Sequence, residues 1–177
     1  MELKREKIKL FTKSYREARK LYLSAFPAHE RLSYIGLLMN SWRKIANFYA
    51  FYDKGEFVGL AYIVANEQAY FILFLAVDTK IQSQGFGSRI LGDLKKDASK
   101  RPMILTIEPV DESAENSDQR LKRLAFYQRN GFQLTQKFYL EGKERYQIML
   151  TDTSFDLINF ERLMKQFVKG LISIQIQ

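Results

Sequence analysis

The run from Ala69 to Val77, AYFILFLAV, constrains the fold more than any other segment. Successive side chains of a strand point to opposite faces, and here both sets are apolar. Such a strand needs cover on both sides, so it belongs in the middle of a sheet with layers over it. The run is far shorter than the roughly 20 residues that cross a bilayer as a helix, so no spanning segment and no membrane partner are expected.

Two more strand-like runs precede it, 47–52 (NFYAFY) and 57–65 (FVGLAYIVA). The connections DKGE and NEQ are short and polar, as between antiparallel neighbours. Upstream, 7–11 (KIKLF) reads as a first strand. Residues 13–25 place Tyr15, Ala18, Leu21, Tyr22 and Ala25 at helical spacing before Pro27, and 33–41 reads as a second short helix. Downstream come a helix at 87–97, buried through Ile90, Leu91 and Leu94, a strand at 102–108 and a helix near 118–130. Strands 132–139 and 144–151 form a hairpin turning at Glu141-Gly142. A helix at 154–169 ends at Gly170, and LISIQIQ alternates as one more strand. The order predicts an α/β fold: a mixed, mostly antiparallel central sheet flanked by helices. Residues 1–151 read as one domain. Residues 152–177 read as a helix-strand extension packed on it or on a partner subunit, which allows a homodimer.

Composition narrows the chemistry. At 46% hydrophobic and 14% aromatic, the 177 residues can bury a true core. Cysteine is absent, which excludes disulfides, thiolate metal sites and a Cys nucleophile. A single histidine, His29, makes a histidine metal site or a Ser-His-Asp triad hard to build, so no metal is expected. The net charge of +8 attracts anions without choosing among nucleic acid, anionic lipid and a phosphorylated small molecule. The leading MELKREK is charged and shows no secretory pattern, so a cytoplasmic protein is expected.

The informative segment is Val77 to Ser88, VDTKIQSQGFGS. A covered strand runs into a loop, and Gly85 and Gly87 stand where a helix begins. Glycines there bring several amides close to a ligand at the positive helix end, a device for holding phosphate oxygens. No Gly-Lys-Ser/Thr follows, so the P-loop pattern fails. The third glycine of the dinucleotide pattern would be residue 90, which is Ile90. What remains is Gln82-Ser83-Gln84-Gly85-Phe86-Gly87, of the form Q/R-x-x-G-x-G/A. A second element, Ala125-Phe126-Tyr127-Gln128-Arg129-Asn130-Gly131-Phe132, has the form Y-x-x-x-G-F on the helix after the next strand. In sequence and order, the pair resembles the two signatures of the GNAT superfamily of N-acetyltransferases. The resemblance covers about residues 7–151.

That resemblance implies acetyl-CoA as co-substrate and a primary amine, on a small molecule or a protein, as acceptor. It implies that Gln82, Ser83, Gln84, Gly85, Phe86, Gly87 and Ser88 hold the diphosphate. Backbone at Leu75, Ala76 and Val77 would hold the pantetheine arm and thioester carbonyl, where the central strand splays from 102–108. Tyr127 would donate to the departing thiolate. Arg120 stands seven residues before the tyrosine, where the family often has Asn. It either faces solvent or contacts the adenosine 3′-phosphate. The attacking amine must be neutral, so a base or water path is needed. Some family members use a central-strand Glu, but AYFILFLAV has none. Glu108, ending the strand 102–108, is the first candidate. Glu30 and His29, in FPAHER beside the acceptor site, are second and third. The acidic segment 108–118 is either a solvated loop or an attractor for a cationic amine. Two rivals stay open: an acyl-CoA-binding sensor of the same fold, and a basic nucleic-acid-binding domain, for which no recognition motif is visible.

Overall fold

The structure is a computed structural model that describes residues 2–28, 30–43, 45–142, 144–169 and 174–177. It divides into two compact units. The first comprises Met1–Val64 and Ile72–Ser99. It contains β1 (Lys4–Lys7), α1 (Lys13–Ala25), α2 (Tyr34–Ser41), β2 (Ala46–Asp53), β3 (Glu56–Ala65) but for its last residue, most of β4 (Tyr70–Val77), a 3₁₀ turn (Thr79–Ile81) and α3 (Phe86–Ala98). Helix α1 starts where Thr12 accepts a hydrogen bond from the Tyr15 amide, and α2 where Ser33 accepts one from Gly36. The core is aromatic: Tyr22 meets Phe74 at 5.1 Å between ring centroids, and Phe48 meets Tyr62 at 5.2 Å.

The first strand is Lys4–Lys7, not 7–11. Apolar residues pointed to KIKLF, but the edge strand is held by antiparallel pairing of Lys4 with Tyr52 through Lys7 with Tyr49. Arg5 adds ion pairs to Asp93 (3.1 Å) and Asp97 (2.9 Å) of α3 and lies over the Tyr49 ring. Buried Leu3 and Ile8 flank it.

The second unit comprises Ala65–Phe71 and Lys100–Gln177. It contains the start of β4, then β5 (Met103–Ile107), α4 (Ser117–Arg129), β6 (Gln133–Glu141), β7 (Glu144–Leu150), α5 (Leu157–Val168) and β8 (Ile174–Ile176). β5 runs parallel to the first residues of β4, with Tyr70 opposite Met103 and Phe71 opposite Ile104. Pairs β5–β7 and β6–β7 are antiparallel. Phe71, Tyr139 and Phe160 form a buried knot that seats α5. The helix closes on left-handed Lys169 (φ 51°), while the expected stop, Gly170, lies outside the described residues. The tail strand pairs within the chain, with Tyr139 opposite Ile176.

Among the described residues the strands of the first unit run in the order β1-β2-β3-β4 and those of the second in the order β4-β5-β7-β6-β8, mostly antiparallel, with five α-helices in the chain. This is the expected α/β class. No helix among them is long and apolar enough to cross a membrane.

Candidate functional site

The glycine loop is anchored at both ends by the β2–β3 hairpin. Pairing of β2 with β3 runs from Phe51–Gly59 to Tyr52–Phe57, leaving Val58 as the extra residue of a bulge. The Val58 carbonyl accepts the amide of Asp78, just past β4, at 3.0 Å. Asp78 in turn accepts the Lys80 amide and starts the 3₁₀ turn. At the far end, Arg89 of α3 donates to Asp53 at 2.6 Å and lies over the Phe86 ring. Gly59 makes the close packing possible: a Cβ there would meet the Ala76 carbonyl at 2.5 Å and Ile90 Cδ1 at 2.9 Å.

Between these anchors the loop presents its amides. Gly85 is the N-cap of α3 in the left-handed region (φ 81°), and no side chain caps the helix. Among the described residues, no backbone amide from Gly85 to Ser88 donates a hydrogen bond within the protein. The Gly85 carbonyl already accepts from Arg89, so the backbone points carbonyls into the helix and amides away from it. Gln82 through Gly85 and Ser88 are exposed, and Phe86 and Gly87 half-buried. A helix start with free amides, no acidic side chain in its first turn and close backbone access is suited to an anion. Before it on β4, Ala76 is buried while Leu75 and Val77 keep partial exposure.

In the second unit, Tyr127 lies in the last turn of α4, which ends where Gly131 takes a left-handed φ of 90°. The Phe132 amide returns to the Tyr127 carbonyl at 3.1 Å, and the two rings meet edge-on at 5.8 Å. The Y-x-x-x-G-F spacing is thus a helix stop that fixes the tyrosine. Its hydroxyl has no hydrogen-bond partner among the described residues. Burial pushes the phenol above its ordinary pKa, and the Arg123 guanidinium draws it back in part.

Glu108 is not the free strand-end carboxylate expected of a base. One oxygen faces Arg120 Nη2 at 3.0 Å and the other Arg123 Nη1 at 2.9 Å. Arg120 also donates to Asn116 Oδ1 at 2.8 Å and to the Pro109 carbonyl at 2.9 Å. Its guanidinium is therefore engaged with the fold and does not lie free on a solvated face. The acidic segment also hydrogen-bonds to itself. Asp111 turns back to bind the Ser113 amide and hydroxyl, which hold its carboxyl below the ordinary range. The Glu30 amide donates to the Pro27 carbonyl, and His29 lies outside the described residues.

Sequence reasoning passed over Gly59, Val58 and Asp78. A lone glycine inside FVGLAYIVA was the available signal, because strand glycines mark bulges and close backbone approaches.

The family model of the GNAT acetyltransferase domain matches residues 44–134. YjbC of Bacillus subtilis (strain 168), which carries an acetyltransferase name, is 38% identical over 66 residues, covering 37% of this chain and 32% of YjbC. The chain thus spans about a third of that relative's length. A solved GNAT-family protein of Bacteroides thetaiotaomicron superposes with a TM-score of 0.75 at 21% identity, over 95% of this chain and 97% of the other. A Bacillus subtilis acetyltransferase solved with CoA gives 0.60 at 16% identity, over 85% and 99%. At these identities the likeness is one of fold.

Proposed function

The chain belongs to the GNAT acetyltransferases, and from that premise we propose that it transfers the acetyl group of acetyl-CoA to a primary amine by direct attack in a ternary complex. One observation carries the reading: the consecutive amides of Gly85, Phe86, Gly87 and Ser88, at an uncapped helix start, have no partners among the described residues. Free donors at that density suit the diphosphate of CoA, the ligand of the Bacillus subtilis neighbour.

Backbone at Leu75, Ala76 and Val77 is proposed to bind the pantetheine arm and thioester carbonyl. A donor there stabilises the tetrahedral oxyanion more than the planar thioester, which is how binding accelerates a reaction. Holding amine and thioester together removes the cost of a bimolecular encounter. Tyr127, with a hydroxyl that has no partner among the described residues and a pKa kept high by burial, is proposed to donate to the leaving thiolate. Removal of the amine proton is assigned to the FPAHER segment, through Glu30 or His29, or to water, because Glu108 has both oxygens engaged. Residues 1–151 are read as the catalytic domain of a cytoplasmic enzyme and 152–177 as its extension. A homodimer through the outer edge of β8 is the quaternary reading.

Acetyl-CoA should raise the melting temperature, and free thiol should appear with at least one member of an amine panel. No stabilisation at saturating acetyl-CoA would sink the reading. The engagement of Glu108, together with the absence of a carboxylate on β4, favours a second reading: an acyl-CoA sensor without turnover. Stabilisation without thiol release on any amine, and a Tyr127→Phe variant indistinguishable from the parent, would select it.

A further inference from the structure

Glu108 leaves β5, and Arg120, Arg123 and Tyr127 follow one another along α4 at spacings of three and four residues. Residues so spaced share one helix face. Three features fasten that face. Glu108 spans the two arginines, one per carboxylate oxygen, at 3.0 and 2.9 Å. Arg120 adds the Pro109 carbonyl and the side chain of Asn116, the N-cap residue of α4. Asn116 Nδ2 stands 3.4 Å from both Glu108 oxygens and closes the network. The carboxylate and Arg120 are about one-fifth exposed, so water screens this pairing less than an open surface pair.

We infer that Glu108 is a positioning residue for Tyr127: its fork onto Arg120 and Arg123 fixes the rotation and axial placement of α4, and so where the tyrosine hydroxyl stands. The inference rests on the proposed role of Tyr127 for its catalytic meaning but not for its geometry. Arg123, one turn before the tyrosine, carries the coupling. Its charge already acts on the phenol, and Glu108 sets where that charge sits. Arg120 at the position of the family's common Asn is then one half of a clamp whose other half is Glu108.

The test needs no acceptor. The full chain is labelled with 3-fluorotyrosine, and the Tyr127 fluorine resonance is identified by its loss in Tyr127→Phe. Glu108→Gln should displace or split that resonance and leave the other tyrosines unmoved, a selectivity that general loosening would not give. Arg120→Gln combined with Arg123→Gln should produce the same displacement. Adding Glu108→Gln to that pair should change nothing further, because the three act as one unit. A Tyr127 resonance unmoved by Glu108→Gln overturns the inference, and so does a further displacement in the triple variant. Should Glu108→Gln fail to fold, Glu108→Asp keeps the charge and shortens the reach. It should displace the resonance by a smaller amount, and no displacement would overturn the inference. An absent acetyl-CoA melting shift in the parent protein would instead defeat the acetyl-transfer reading, while the resonance experiment still reports on the clamp.

Discussion

Gly59 lies so close to the carbonyl oxygen of Ala76 that a methyl group on its α-carbon would stand 2.5 Å from it. The same methyl would press Ile90 of α3 at 2.9 Å and the Val77 α-carbon at 3.3 Å. Two of these three are backbone atoms, which cannot rotate aside. Gly59→Ala should destabilise by about 1–3 kcal/mol, the usual cost of overpacking. It should also weaken acetyl-CoA binding, because β4 and α3 flank the loop. Thermal melting with and without acetyl-CoA measures both, and an unchanged melting temperature would contradict the packing.

Gly85 and Gly92 make a matched pair. Both have open space where a Cβ would go, but only Gly85 has a positive φ. Gly85→Ala should cost about 1–2 kcal/mol of backbone strain and reduce acetyl-CoA affinity tenfold or more. Gly92→Ala, in the body of α3, should stabilise by about 0.5–1 kcal/mol and leave affinity unchanged. Calorimetric titration of the two variants separates strain from ligand contact.

Tyr127→Phe should lower kcat by about 100-fold, the low end for loss of a proton donor, with the KM for acetyl-CoA within a factor of about three. Steady-state kinetics on any amine that releases thiol decides this. A large rise in KM with kcat intact would make the tyrosine a binding residue instead.

Glu141 offers a pH-dependent prediction away from the loop. Burial raises its pKa, and the nearby Tyr139 hydroxyl offsets this in part. The native state therefore holds the proton more tightly than the unfolded chain. Stability falls as pH rises from the ordinary glutamate value through the raised native one. Glu141→Gln should melt above the parent near neutral pH, and the gap should close below about pH 4, where the parent's Glu141 is protonated in the native and the unfolded state alike. A variant less stable than the parent near neutral pH would refute the assignment.

The first unit's helices were readable because their signals are local. Residues 13–25 match α1 at both ends, since Thr12 supplies the cap and Pro27 bars extension. β1 was misplaced because its stability comes from β2 and from Asp93 and Asp97, far away in sequence. The loop Gln82–Ser88 was legible as a candidate anion cradle because glycine spacing is a backbone property. That the amides at its helix start have no partner among the described residues required coordinates. Glu108 and Arg120 were each read alone, one as a base and the other as a phosphate ligand or a solvated charge. Their mutual pairing is tertiary, and no spacing rule connects a strand end to a helix face across an irregular loop.

The extra residue at Val58 gives the β2–β3 hairpin a second duty. Such tips ordinarily accept inserted peptides, fusion partners or recognition tags without harm. Here the displaced carbonyl grips the start of the glycine loop, and Asp53 grips the helix beyond it. A graft at residues 53–56 would therefore pull on both ends of the cradle, and an engineer wanting an inert handle on this protein should place it elsewhere.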